Sequence, residues 1–180
     1  MHLGGMYTGL EEAESIVRLF VEGCSVRSIE RVTGIHRDTI LRVLVIVGSR
    51  CERFLEDRCR AIPVKDVQCD QMWSFVGCKE KRNIGGNPKR GDAYRFVAIE
   101  RNTKLILAWD LGRRTERDTV AFTERLNEAT AGEFQITTDG FPAYFDAIHM
   151  SLGTRVHYAQ LVKIYERQQM TNTAIHQPEC

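Results

Sequence analysis

Long apolar runs are missing from this 180-residue chain. None approaches the ~18 residues of a membrane-spanning helix, so a helical anchor is not expected. The opening, Met1 to Ser15, lacks the basic-then-apolar order of a secretory signal. No two of the six cysteines form a C-x-x-C pair, which argues against a zinc ribbon. The thiols are read as free core filler of a reducing compartment, and the expected location is the cytosol. Repeats and low-complexity tracts are absent. Net charge is almost absent too, at +1, so the total favours no class of partner.

What is present is an uneven distribution of charge. Lys79, Lys81, Arg82, Lys89 and Arg90 face Glu80 alone between residues 79 and 90, and residues 26–60 hold eight Arg against five acids. Such segments suit a phosphate backbone, or simply a solvated face. The chain length allows one domain with a sizeable core, or a small domain plus a medium one.

The first part reads as helical. Ala13, Ile16, Val17 and Phe20 recur at helical spacing, and Gly23 ends the segment. Val26, Ile29 and Val32 suggest a second apolar face. Thr33-Gly34-Ile35 then makes a turn, and a helix from about His36 carries Ile40, Val43 and Val47 inward. Two helices around a Gly-containing turn are a helix-turn-helix pattern, or a plain helical hairpin. In the former, His36, Arg37, Asp38, Thr39 and Arg42 point outward near the end that meets base edges. Glu30 stands where many such motifs carry a small residue. We place a DNA-binding region at 1–60 and a linker, stopped by Pro63, at 61–66.

Beyond the linker the period changes to two. Val67, Cys69, Trp73 and Phe75 are expected on one face of a strand; Gln68, Asp70, Met72 and Ser74 fall on the other. Strands near 93–100 and 105–112 complete an antiparallel meander, with Trp109 on a central strand. Trp73 and Phe75 are read as core in preference to base-stacking residues, and Trp109 likewise. Thr115 and Asp118 form a capping box before a helix with Phe122, Leu126 and Ala129 buried. A fourth strand ends at Asp139-Gly140, a short helix follows, and a fifth strand spans about 154–165. The implied class is a mixed α/β sheet with flanking helices behind the N-terminal helices.

Asp70 is the odd residue, because Asp is depleted in strands. If strands one and four are neighbours, Asp70 and Asp139 converge. Paired carboxylates hold hard divalent cations, and Mg²⁺ often takes one or two of them plus substrate phosphates. Two such ions ~3.5–4 Å apart clamp the attacking and leaving oxygens of a phosphoryl displacement. Asp70 as a solvated surface acid, and Asp139 as a turn former, remain alternatives.

The strings CDQMWSFVGCKEK, AIERNTKLILAWDLGRR, TTDGFPAYFDAI and TRVHYAQLVKIY resemble the catalytic domain of bacterial DDE transposases of the insertion-sequence-one type. The resemblance runs from about Val67 to Tyr165. It implies an incomplete ribonuclease-H-like domain over 67–180, with Asp70 and Asp139 as catalytic and metal-binding acids and Mg²⁺ or Mn²⁺ as cofactor. It further implies double-stranded DNA partners (transposon ends and target), a homo-oligomer when active, and association with the nucleoid. His36, Arg37, Thr39 and Arg42, with Lys79, Lys81, Arg82, Lys89 and Arg90, are the expected DNA contacts; Lys163 is a further one.

Two departures stand out. Gln71 occupies a position where the family commonly has Glu, on the face opposite Asp70. The family's third acid lies on a later helix, and only fifteen residues follow Tyr165, so a C-terminally truncated chain is expected. Glu166 and Glu179 are weak substitutes for that acid. The alternatives are a non-catalytic DNA-binding repressor derived from a transposase, or a ribonuclease-H-like nuclease.

Overall fold

The computed structural model describes residues 8–162. Lys163, Glu166, Glu179 and Cys180, and with them the expected region of the third acid, lie outside the described residues. Two compact units are present: Met1–Pro63 with Glu128–Ala131, and Val64–Asn127 with Gly132–Cys180.

The first unit contains α1 (Leu10–Val21), α2 (Val26–Thr33) and α3 (Arg37–Arg58). Ala13, Ile16, Ile29, Ile40 and Val43 form its buried centre. Each large aliphatic there contributes roughly 1.5–3 kcal/mol by leaving water. Val32, expected on the same face as Val26 and Ile29, is exposed instead. Steps of three residues drift by about 60° around a helix, so two steps carry Val32 off the buried stripe. Ser25 caps α2 by accepting from Ser28 N at 3.2 Å. Gly34 closes α2 at φ +72°, a left-handed position that favours glycine. Glu30, the residue out of pattern, has a local role: its carboxylate accepts from Arg37 N at 3.1 Å and so caps α3. Two residues of β1 (Ile62–Pro63) pair in parallel with β5 (Thr130–Ala131).

The second unit is built on a five-stranded sheet. Its strands are β2 (Asp66–Val76), β3 (Gly91–Glu100), β4 (Ile106–Gly112), β6 (Phe134–Thr138) and β7 (Val156–Gln160). They lie in the order β4-β3-β2-β6-β7. The first three form the antiparallel meander, while β6 pairs in parallel with β2 and β7 in parallel with β6. The fold class is therefore the expected one, a mixed α/β sheet behind N-terminal helices, compatible with a ribonuclease-H-like fold.

Helices α4 (Glu116–Ala129) and α5 (Ala143–Leu152) cover one face. Phe122 of α4 packs 5.5 Å from the Phe96 ring and 6.4 Å from that of Tyr144. Thr123 ties the helices together by bonding Ser151 Oγ at 2.8 Å and the Ala147 carbonyl at 3.2 Å. Phe122, Leu126 and Ala129 are buried as the helical spacing required. The α4 cap is only half the expected box. Thr115 Oγ1 accepts from Asp118 N at 3.2 Å, but the Asp118 carboxylate turns to Arg113 N at 2.6 Å.

Three aromatic expectations fail. Trp73 and Phe75 are 46% and 47% exposed. The buried alternation of β2 holds at Val67 and Cys69 and is gone by Trp73. Trp109 is half-buried on β4, an edge strand among the described residues rather than a central one.

Glu100, at the end of β3, is 8% exposed and organises the following turn. Its carboxylate accepts from Thr103 Oγ1 and N, both at 2.6 Å, and from Asn102 N at 3.1 Å. The Thr103 hydroxyl first, then the backbone N–H groups, lower its pKa from 4.5 to about 2. A depressed acid adds stability that is complete above its unfolded pKa and lost as pH falls through its folded one. Urea unfolding between pH 6 and pH 2 should show stability falling below about pH 4.5. In Glu100→Gln that fall should be smaller.

Candidate functional site

Pairing between β2 and β6 is in register at Asp66–Gln135, Val67–Ile136 and Gln68–Thr137. Continued by two residues, the same register sets Asp70 level with Asp139. Adjacent strands lie ~4.8 Å apart, so the two acids belong to one neighbourhood at the end of β6. Both line a single cavity of about 570 Å³, together with Gln68, Thr137, Arg114 and Val162.

Asp70 is exposed on the central strand, opposite in facing to buried Cys69. Its Oδ1 accepts from Gln71 N at 2.7 Å. Its Oδ2 has no protein donor among the described residues. Asp139 follows β6 directly. Its Oδ1 accepts from Phe141 N at 3.2 Å, an Asx-type turn that fixes the side chain. Its backbone carbonyl accepts from Gln160 Nε2 at 3.1 Å.

Arg114 is the residue that sequence reasoning missed. It follows β4 and touches both strands: Nη2 is 3.7 Å from Asp139 Oδ2, and Nε donates to Gln71 Oε1 at 3.1 Å. Its guanidinium stacks 4.3 Å from the Phe141 ring centroid. Gln71 thus serves as a support for Arg114 and turns away from Asp70. The doublet Arg113-Arg114 was visible in the sequence, but nothing in its spacing tied it to residues 71 and 139.

Beneath the cavity floor sit groups that burial keeps neutral. The Cys69 thiol is pushed far up by desolvation and then by the Asp70 charge. The Tyr144 hydroxyl is pushed up likewise, chiefly by desolvation and then by Cys69. Tyr144 Oη and Gln71 Nε2 are both buried without a hydrogen bond of acceptable geometry, although the amide lies near the hydroxyl. Neither Cys69 nor Tyr144 is suited to act as a base near neutral pH.

Two carboxylates on an open, water-accessible cavity, one with an oxygen free of protein donors among the described residues, fit Mg²⁺ or Mn²⁺. Arg114 competes for Asp139, at a distance typical of a loose ion pair. Among the described residues no group of three or more His, Cys, Asp or Glu side chains gathers around a point.

The basic loop adjoins β2 and β3. Lys79, Lys81, Arg82, Lys89 and Arg90 are all exposed. Its one acid, Glu80, is occupied: Arg113 Nη1 donates to it at 2.6 Å and Asp92 N at 3.2 Å. Arg113, mainly, holds the Glu80 carboxyl below its usual range. The same guanidinium donates to the Arg90 carbonyl at 2.7 Å and the Pro88 carbonyl at 3.1 Å. In the helical unit, His36 is the N-cap of α3 and accepts from Asp38 N at 3.3 Å. Arg37 pairs with Glu30 at 3.6 Å, Arg42 is exposed, and Thr39 is half-buried.

No protein-family model matches the chain, and no curated protein matches it. Among solved structures it is similar to a piggyBac transposase in a synaptic complex with hairpin DNA, with a TM-score of 0.49 and 15% sequence identity. The match covers 89% of this chain and 43% of that one, so the chain spans less than half the length of that transposase.

Gly91, at φ +108°, allows the Glu80–Arg113 clamp to form; a Cβ there would collide with the Glu80 carboxylate. Gly91→Ala should therefore loosen the loop. Hydrogen exchange at the amides of residues 80–92 is expected to speed by about tenfold or more, with the β2–β6 amides unaffected. Unchanged loop exchange would show that the clamp does not order it.

Proposed function

We propose that this chain is a transposase of the DDE type from a bacterial insertion sequence, acting on DNA by metal-dependent phosphoryl transfer. The observation that carries the reading is the placement of Asp70 and Asp139 on one cavity by the parallel pairing of β2 with β6. Asp70 and Asp139 would hold the divalent cation, Mg²⁺ or Mn²⁺. When bound, that cation supplies Lewis-acid polarisation of a phosphate oxygen.

The chain's own side chains have the remaining roles. Arg114 steadies Asp139 and offers its guanidinium, a bidentate partner for phosphate, to the cavity. Gln71 and Phe141 hold that guanidinium in place. Lys79, Lys81, Arg82, Lys89 and Arg90 hold DNA phosphates near the sheet. In the helical unit, α2 and α3 act as a helix-turn-helix, with His36, Arg37, Thr39 and Arg42 toward the groove. The DNA partners are transposon ends and target, and the working form is a homo-oligomer.

A second reading has its own support. Since no third carboxylate joins Asp70 and Asp139 among the described residues, a DNA-binding repressor without cleavage fits the same surfaces. Nicking of supercoiled plasmid in Mn²⁺ separates the two. The enzyme reading expects nicking that falls by about 10²–10³-fold in Asp70→Asn and in Asp139→Asn, with DNA affinity retained. Binding without any metal-dependent nicking would select the repressor.

A further inference from the structure

Strand β2 runs on past its helical cover. It stays paired with β3 as far as Val76–Gly91, yet Trp73 and Phe75 emerge into solvent. Their ring centroids are 5.9 Å apart with planes tilted by 45°. Lys79 Nζ sits 5.2 Å from the Trp73 ring centroid. Asp92, the β3 partner of Phe75, accepts from Glu80 N at 3.0 Å. Leaving two large rings in water forgoes burial that a strand residue ordinarily gains.

We propose that Trp73 and Phe75 form a stacking platform for unpaired nucleobases. This rests on the nucleic-acid reading above and adds a strand preference to it. The charge around the rings decides the occupant. Lys79, Lys81, Arg82, Lys89 and Arg90 are exposed on the adjoining loop; of the acids there, Glu80 is neutralised by Arg113, and Asp92, opposite Phe75, is held by Glu80 N. An apolar protein partner would bury those cations without counter-charges, at considerable cost. A single strand satisfies both parts, with bases on the rings and phosphates on the cations. Bases inside a duplex are stacked on one another and offer no free face, so the platform prefers single strands.

The test uses the full chain carrying Trp109→Phe, which leaves Trp73 as the sole tryptophan of the two. Labelled oligothymidylate and a duplex of equal length are titrated, with anisotropy and Trp73 emission read together. Quenching of Trp73 on binding oligothymidylate is expected. Trp73→Leu should weaken that binding by about 5- to 150-fold and change duplex binding little. Phe75→Leu should act in the same direction, and an unchanged thermal midpoint excludes unfolding. Binding seen by anisotropy with no change in Trp73 emission overturns the platform. So does an equal loss for both probes, or emission that follows protein concentration, which would seat a second copy on the rings. If neither probe binds, the nucleic-acid reading fails, and the platform with it.

Discussion

Parallel pairing of β2 with β6 is the constraint on which the candidate site depends. Val67 and Ile136 are fully buried partners in that register, and their packing fixes which residues come level further along. A slip by one residue would send Ile136 to the opposite face and move Asp139 away from Asp70. The core beneath the sheet enforces the register, because Phe96, Phe122 and Tyr144 occupy the face opposite Asp70. The placement of the two acids is a consequence of apolar packing on the other side of the same strand.

Arginines then divide the polar work. Arg113 neutralises the one acid of the basic loop and binds two of its carbonyls, so the loop's positive charge is left for solvent or a polyanion. Arg114 turns the other way, to Gln71, Phe141 and Asp139. Adjacent residues thus serve two sites, one per side of the strand end, as expected where a strand stops and its side chains diverge.

Much of this was legible in the sequence. The period-two run at 67–70, the helical stripe of Phe122, Leu126 and Ala129, and the Gly34 turn all express local spacing. The pairing of β2 with β6 was a conditional expectation, since spacing along one strand does not name its neighbour. Trp73 and Phe75 were misread as core because alternation reports which face a residue takes, not whether anything covers that face. Arg114 was invisible for a related reason: its partners come from β2 and from the turn after β6, and only the tertiary fold brings them together. Glu30 stands where a helix-turn-helix often has a small residue and is a helix cap, a role fixed by a turn rather than by helical period.

In the function proposed here, Asp70 and Asp139 act as one cation site. Binding of Mn²⁺ followed by the loss of the free-ion paramagnetic resonance signal tests it without requiring DNA or catalysis. Mn²⁺ is expected to bind the native chain, and binding should disappear in Asp70→Asn and equally in Asp139→Asn. Undiminished Mn²⁺ binding in either single variant would contradict it.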